Sequence, residues 1–505
     1  MPCARRSRAA VPECGAGIGD HAASTVISRR WRTERGGDCE PGVDDGAWPR
    51  VSTGGRCSMT GPVSGPLFVH LSDIHFDAAT NTVKGPNRLV REALLDDLAL
   101  AAQQIGRKPD AVLVTGDIAF SGRTEQYEQA RVFLASVTDR LGIEPEKVLA
   151  IPGNHDVDRG QVVGSVKASR EALRAKSALE ADKALPEYLE HDPTDPLFAP
   201  LAAYNQFALA YGCSVSGRAP YWEFEWPLDE AHVLRVRGLT TVLVSDGDDH
   251  KANLLVGSDQ ATLVTPARND VIMVMGHHPP DWWMDEDECE TYMKGYASVH
   301  LYGHKHRHRL SVLDTSVRLS AGAVHPEREM DWEPRYNWLQ LELVGAGTDT
   351  PELAVKVWPR VILMNDNAFR SGSEDGGWAP DVRRVPVPRL AGPGRAAGVP
   401  VEASAEPARS LQHAASVLVA ARREPVSDAS GTPTPLRRAV YRFGMLGYRS
   451  QTRILSGLGL IADEDKDLPV EERFRAAFSR AQDRGLVDEL VAAIDAAGGA
   501  ADGQR

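Results

Sequence analysis

From residue 67 onward the chain alternates short, uninterrupted apolar runs with longer stretches in which apolar residues recur every three to four positions. The runs at 67–71, 111–115, 148–151, 241–244, 271–275 and 299–302 are too short for buried helices and suit strands covered on both faces, whereas 88–105 and 125–141 have the spacing of covering helices. That alternation predicts a layered α/β fold. Residues 161–215 are polar and helical in pattern and look like an insertion. Beyond residue 306 the pattern becomes strict alternation at 310–320, 338–344 and 353–361, which predicts antiparallel strands forming a second sheet and closes the domain, taken as 66–362. Pro, Gly and Ala then dominate, so 363–434 reads as a linker, with one helix expected at 410–423. Helical periodicity returns at 435–497. Phe474, Phe478 and Ala481 make one stripe, Leu486, Leu490 and Ile494 the next, and Gly485 stands between them as a stop, giving a small all-α domain.

The first 58 residues show neither period and are expected to be disordered, as part of an extension spanning 1–65. Met59 precedes a short polar lead into the first strand and reads as a plausible initiator. With 505 residues, 42% hydrophobic and 25% charged, the chain can bury a core without disulfide staples. A net charge of -13 argues against a general affinity for nucleic acid or anionic lipid, so nucleic acid enters only as a substrate. No run approaches the ~18 apolar residues of a membrane span, and the N-terminus lacks a secretory apolar block. A cytoplasmic location is expected. Four of the six cysteines fall in the first 57 residues, and no C-x-x-C pair occurs, so free thiols are expected rather than a zinc knuckle.

Candidate chemistry sits at the ends of the apolar runs. Asp73-Ile74-His75, Gly116-Asp117, Gly153-Asn154-His155-Asp156, His277-His278-Pro279-Pro280 and Gly303-His304-Lys305-His306 each follow one, and open α/β sheets place their sites beyond the carboxyl ends of strands. Six of the fifteen histidines fall in residues 277–308, where an even spread would place about one. Asp73 and His75 can turn toward one ion, and Asp117 can bridge two through its two oxygens. Imidazole, carboxylate and one amide without thiolates suit Mn, Fe or Zn. Two such ions polarise a phosphoryl oxygen and activate water, so phosphoester hydrolysis is the expected reaction.

In this order the motifs resemble those of the calcineurin-like metallophosphoesterases, over about residues 66–362. The resemblance implies a four-layer α/β/β/α core, with Asp73, His75 and His306 on one ion, Asp117 bridging, and Asn154, His277 and His304 on the other. His277 is favoured over His278 because it stands two before Pro279. The resemblance further implies His155 as proton donor to the leaving alkoxide or stabiliser of the transition state, with Asp156 orienting its ring. His300 and His308 read as structural or surface residues. Trp282 and Trp283 read either as a base or sugar pocket or as packing, and the acidic run 285–290 as a solvated loop. Gly-Asn-His-Asp-Val-Asp-Arg resembles the bacterial phosphodiesterase-like and nuclease-like branches more than the protein phosphatases, which implies a diester substrate: small nucleotides, cyclic nucleotides or short nucleic-acid ends. The terminal helices loosely resemble effector-associated adaptor domains, which implies a protein partner through 435–497. The rival reading is a scaffold that keeps the phosphoesterase fold and acts through that bundle.

Overall fold

The computed structural model describes residues 65–77, 86–190, 195–263, 270–325, 333–348, 350–362, 368–373, 376–387, 423–425, 435–465, 468 and 470–502. Residues 1–64 of the extension expected at 1–65, and 410–422 of the helix expected at 410–423, lie outside them; Arg423 opens a strand.

Three buried apolar runs, β1 (Leu67–Leu71), β2 (Ala111–Thr115) and β3 (Val148–Ile151), pair in parallel in the order β1-β2-β3. The second sheet is built on β4 (Tyr221–Pro227), β5 (Val233–Leu239), β6 (Asp270–Gly276) and β7 (Ala297–Tyr302), with β5, β6 and β7 parallel to one another. β8 (Arg309–Leu313) and β9 (Ser316–Ser320) form a hairpin that joins β7 through β9. The predicted run at 241–244 is a turn following β5.

The alternating segments expected to join one second sheet divide instead. β10 (Arg335–Val344) and β11 (Glu352–Ile362) pair antiparallel with each other and add to the first sheet beside β1. Alternation reports a strand with two different faces and does not say which edge receives it. β12 (Phe369–Ser371) and β13 (Asp381–Pro386) both pair with β11, and β14 (Arg423–Pro425) pairs with β4, so three strands fall inside the span read as a linker.

The sheets face one another across a shared core, where the Phe68 and Trp226 rings meet edge to face at 5.1 Å. On β6, Val271, Met273 and Met275 point into that core, while Ile272 and Val274 join a separate cluster with Trp283, Cys289 and Met293 on the outer face. The helix Glu286–Met293 covers this face. The acidic run is therefore not a loop. Asp285 is buried and accepts from the Gly257 amide at 2.7 Å, and the rest begins the helix. Over the first sheet, helix α1 (Pro86–Ile105) is tied down by Asp97, which accepts from Tyr336 Oη at 2.5 Å and Arg360 Nε at 2.8 Å. Helix α2 (Thr124–Leu141) packs beside α1 and ends at left-handed Gly142. Cys213 and Cys289 are buried free thiols.

β3 lies at the open edge of the first sheet, and the way that edge is covered positions the site that follows it. Its outward carbonyls are taken by side chains from elsewhere. Arg437 donates to Glu146 O at 2.8 Å and Val148 O at 3.2 Å, while Tyr204 Oη and Trp222 Nε1 both donate to Ala150 O at 2.9 Å. Arg437, only 3% exposed, also stacks over the Phe224 ring at 4.3 Å. It belongs to the first of four helices, Pro435–Gly444, Tyr448–Gly457, Val470–Asp483 and Val487–Asp502, which share a core of Ala439, Phe443, Leu455, Phe474, Ala481 and Leu490. Gly485 is left-handed, and the Leu486 amide reaches back to Ala481 O at 2.8 Å, which closes the third helix where the sequence placed its stop.

Candidate metal centre

The seven predicted donors follow five strands: Asp73 and His75 after β1, Asp117 after β2, Asn154 after β3, His277 after β6, and His304 and His306 after β7. They meet where those strands end. Six of them, with His155 and His278, fall into overlapping groups whose ligand atoms lie within 4.8 Å of one another: Asp73, His75 and His306; Asp73, Asp117 and His277; His75, Asp117 and His155; and His277, His278 and His304. Asp117 Oδ2 lies 3.1 Å from His75 Nε2 and 3.3 Å from His277 Nε2, so it stands between the two halves. Asp73 Oδ1 is 3.2 Å from His306 Nε2, and Asn154 Oδ1 is 3.1 Å from His277 Nε2.

Backbone geometry makes this convergence possible. Asp73, His75, Asp117, His304 and His306 all have φ between 51° and 65°, in the left-handed region that side chains other than glycine rarely occupy. Turning sharply off the strand end aims alternate side chains to the same side, at a cost the surrounding structure must offset. The loops also press on one another. A Cβ at Gly153 would come within 2.2 Å of Asp117 Oδ1, and one at Gly116, whose φ is 87°, within 2.6 Å of His277 Nδ1. These two motif glycines are positions of close approach rather than flexibility.

Backbone carbonyls fix the rings. His277 Nδ1 donates to Thr115 O at 2.8 Å and His75 Nδ1 to His325 O at 3.2 Å, which leaves Nε2 of each turned into the cluster as a ligand atom. His155 sits against His75, with ring centroids 4.8 Å apart; its Nδ1 contacts Phe120 O at 2.7 Å and its amide donates to Asp117 Oδ1 at 2.8 Å. The predicted contact between Asp156 and that ring is not made. Asp156 instead accepts from the amides of Gly153 and Ala119, both at 2.8 Å, and from Tyr127 Oη at 2.7 Å, so it shapes the loop rather than the imidazole. Its burial, next to Asp117, pushes its carboxyl up to about 6.

Electrostatics fit a cation. Burial alone would raise the Asp73 and Asp117 carboxyls, yet His306 beside the first and His277 and His75 beside the second hold both below the ordinary range. The same pairing acts on His277: burial would lower it, but the Asp117 carboxylate raises it to about 9. Two buried carboxylates set among imidazoles call for balancing positive charge. A metal ion would supply that charge and leave the rings neutral. His304, farther from the carboxylates, is lowered to about 4 by burial and by His277. The His278 ring is also in the cluster, with Nδ1 3.1 Å from Thr241 Oγ1 and Nε2 buried without a partner. His277 is the one that reaches Asp117 and Asn154. His300 is buried and His308 half-buried, and neither belongs to these donor groups.

Residues 66–308 match the family model described as calcineurin-like phosphoesterase. The matched region contains all seven donors. The helical segment 435–496 matches the model of the GTPase-associated adaptor domain. Over 90 residues the chain is 36% identical to the glycerophosphodiester phosphodiesterase GpdQ of Enterobacter lignolyticus (strain SCF1), a match covering 18% of this chain and 29% of that protein. The chain thus spans under a third of the length of this curated relative. Among solved structures, phosphopantetheinyl hydrolase from Mycobacterium tuberculosis is 16% identical, covering 52% of this chain and 90% of that one at a TM-score of 0.23. Vacuolar protein sorting 29 from Cryptosporidium parvum is 11% identical, covering 64% and 99%, at 0.27. Likeness at that level says nothing about substrate.

The aromatic and carbonyl surroundings of the donor cluster were not legible from its motifs. The Thr115, Phe120 and His325 carbonyls act through the backbone and have no side-chain signature. Trp283 is buried, with Nε1 donating to His278 O at 3.1 Å, whereas the Trp282 ring stands 4.1 Å from His304 at the site itself. No described helix is long and apolar enough to cross a membrane.

Proposed function

We propose that this chain hydrolyses phosphodiesters at a two-cation centre. A pair of Mn, Fe or Zn ions, once bound, would supply Lewis acidity toward phosphoryl oxygens and lower the pKa of a solvent molecule. Asp73, His75 and His306 would hold one ion and Asn154, His277 and His304 the other, with Asp117, whose Oδ2 stands between the two halves, serving both. The observation that carries this reading is the convergence of six imidazole and carboxylate donors, joined by Asn154 beside His277, from five strand ends, with Nδ1 of two histidines already committed to carbonyls.

His155 is the residue assigned to the leaving alkoxide. With Nδ1 anchored on the Phe120 carbonyl, Nε2 is the atom left to exchange a proton or stabilise developing charge. Asp156 serves indirectly, by fixing the loop from Gly153 onward. The preference for diesters over monoesters draws on the Gly-Asn-His-Asp sequence and on the relative whose name specifies a phosphodiesterase. The reaction belongs in the cytoplasm on this reading, and the helices at 435–497 recruit a protein partner, a role suggested by the adaptor-domain match. The test of the chemistry is hydrolysis of bis(4-nitrophenyl) phosphate and 4-nitrophenyl phosphate with added Mn. Wild type should favour the diester, and Asp117→Asn should lose both activities; equal rates for the two proteins would end the enzymatic reading.

A further inference from the structure

Two aromatic side chains flank the donor cluster without belonging to it. Phe120, three residues past Asp117 on the side of the first sheet, is 46% exposed and is the one phenylalanine among the exposed large apolar residues described. Its ring lies 5.2 Å from that of His155 and 6.3 Å from that of His75. On the side of the second sheet, Trp282 stands edge to face with His304 at 4.1 Å. Its backbone is held on both sides, the amide donating to Pro279 O and the carbonyl accepting from Leu254 N, each at 3.0 Å. Its indole Nε1 is buried without an acceptor among the described residues. A phenylalanine kept in water at the mouth of a polar site gives up burial energy that a core position would recover, and a flat ring there can stack on another flat ring.

Resting on the phosphodiesterase reading above, we infer that Phe120 and Trp282 are substrate-contacting walls, one on each side of the donor cluster, and that the group they take is a planar aromatic ring attached near the phosphorus, as in nucleotides. Phe120 stands next to the residue assigned to the leaving alkoxide, so it meets the alcohol side of the diester. A glycerol diester presents no ring to either wall. The walls therefore discriminate between these two substrate classes, although the same donors would process the phosphorus of both.

The experiment compares two phosphomonoesters of like charge, AMP and glycerol 3-phosphate, by calorimetric binding to the Mn-loaded full chain. Wild type should bind AMP at least about tenfold more tightly, and Phe120→Ala should remove most of that difference, as expected for loss of one stacking contact. The substitution keeps the anchor of His155, which is the backbone carbonyl and not the ring. Trp282→Leu reads the second wall in the same way. Equal affinity of wild type for the two ligands, or an equal loss for both in Phe120→Ala, overturns the inference. With 2′,3′-cyclic AMP and glycerophosphoethanolamine as substrates, Phe120→Ala should raise KM for the first about tenfold and affect the second far less; parallel changes would again overturn it. Selective AMP binding without turnover of either diester would leave the aromatic walls standing and refute the hydrolytic reading instead.

Discussion

The C-terminal bundle and the donor cluster are built on opposite terms. In the bundle, Phe443, Phe474, Ala481 and Leu490 meet in an apolar core, with Phe443 edge-on to Phe474 at 5.2 Å, and the only left-handed positions described there are glycines. In the cluster, five donors take left-handed backbone and two carboxylates are buried beside imidazoles. One region rests on apolar packing and ordinary helical backbone, and the other violates several local preferences at once within a few residues. Natural sequences concentrate such violations where function requires them, and the surrounding sheets over-determine the strained turns.

Breaking the comparison at the cluster should give the largest effect on turnover and little loss of fold. His155→Ala is expected to reduce diester hydrolysis by about 10²-fold or more while leaving metal content nearly intact, since His155 is a proton-exchanging group rather than a ligand. Loss of both metals in that variant would contradict the role assigned to it.

At the bundle the balance should reverse. Phe474→Ala empties a buried ring from a small core and should cost about 3–5 kcal/mol in urea unfolding, with the metal content of the folded protein unchanged. Arg437→Met tests the joint between the two regions. It strands the Glu146 and Val148 carbonyls on the sheet edge that leads into Asn154 and His155, and should cost about 1.5–3 kcal/mol. An unchanged unfolding midpoint would mean that the edge is satisfied another way.

The smallest expected effect is a pH response within the bundle. Arg480 donates to Asp465 at 2.8 Å and holds its carboxyl below the ordinary value. A depressed pKa stabilises the fold above the unfolded value of 3.8 and loses that contribution as pH falls through the folded value. Asp465→Asn should therefore cost less than about 1 kcal/mol at neutral pH, and the difference from wild type should vanish on acidification below that point.

How much of this was legible in the sequence follows from what each signal reports. The buried runs announced β1, β2, β3, β6 and β7, and the donors were readable because each run ends in Asp, His or Asn at a point where the strand order exposes them. Alternation announced β10 and β11 but could not assign them to the first sheet, because both faces of either sheet accept the same pattern. The strands at Phe369–Ser371 and Asp381–Pro386 lie amid Pro, Gly and Ser and are held by pairing to β11 rather than by their own periodicity. Asp156 was misplaced because its neighbour in sequence is His155, whereas its partners are backbone amides and a tyrosine from α2. Arg437 gives no motif at all; its role depends on an edge strand almost 300 residues earlier.

The central claim is that donors from separate strands hold two cations. Elemental analysis of the purified chain equilibrated with micromolar Mn, beside Asp117→Ala and His306→Ala, tests it most directly. The account predicts about two ions per wild-type chain, at most one in each variant, and diester hydrolysis falling with metal content. Wild type retaining no metal above background, or all three proteins binding equally, would contradict it.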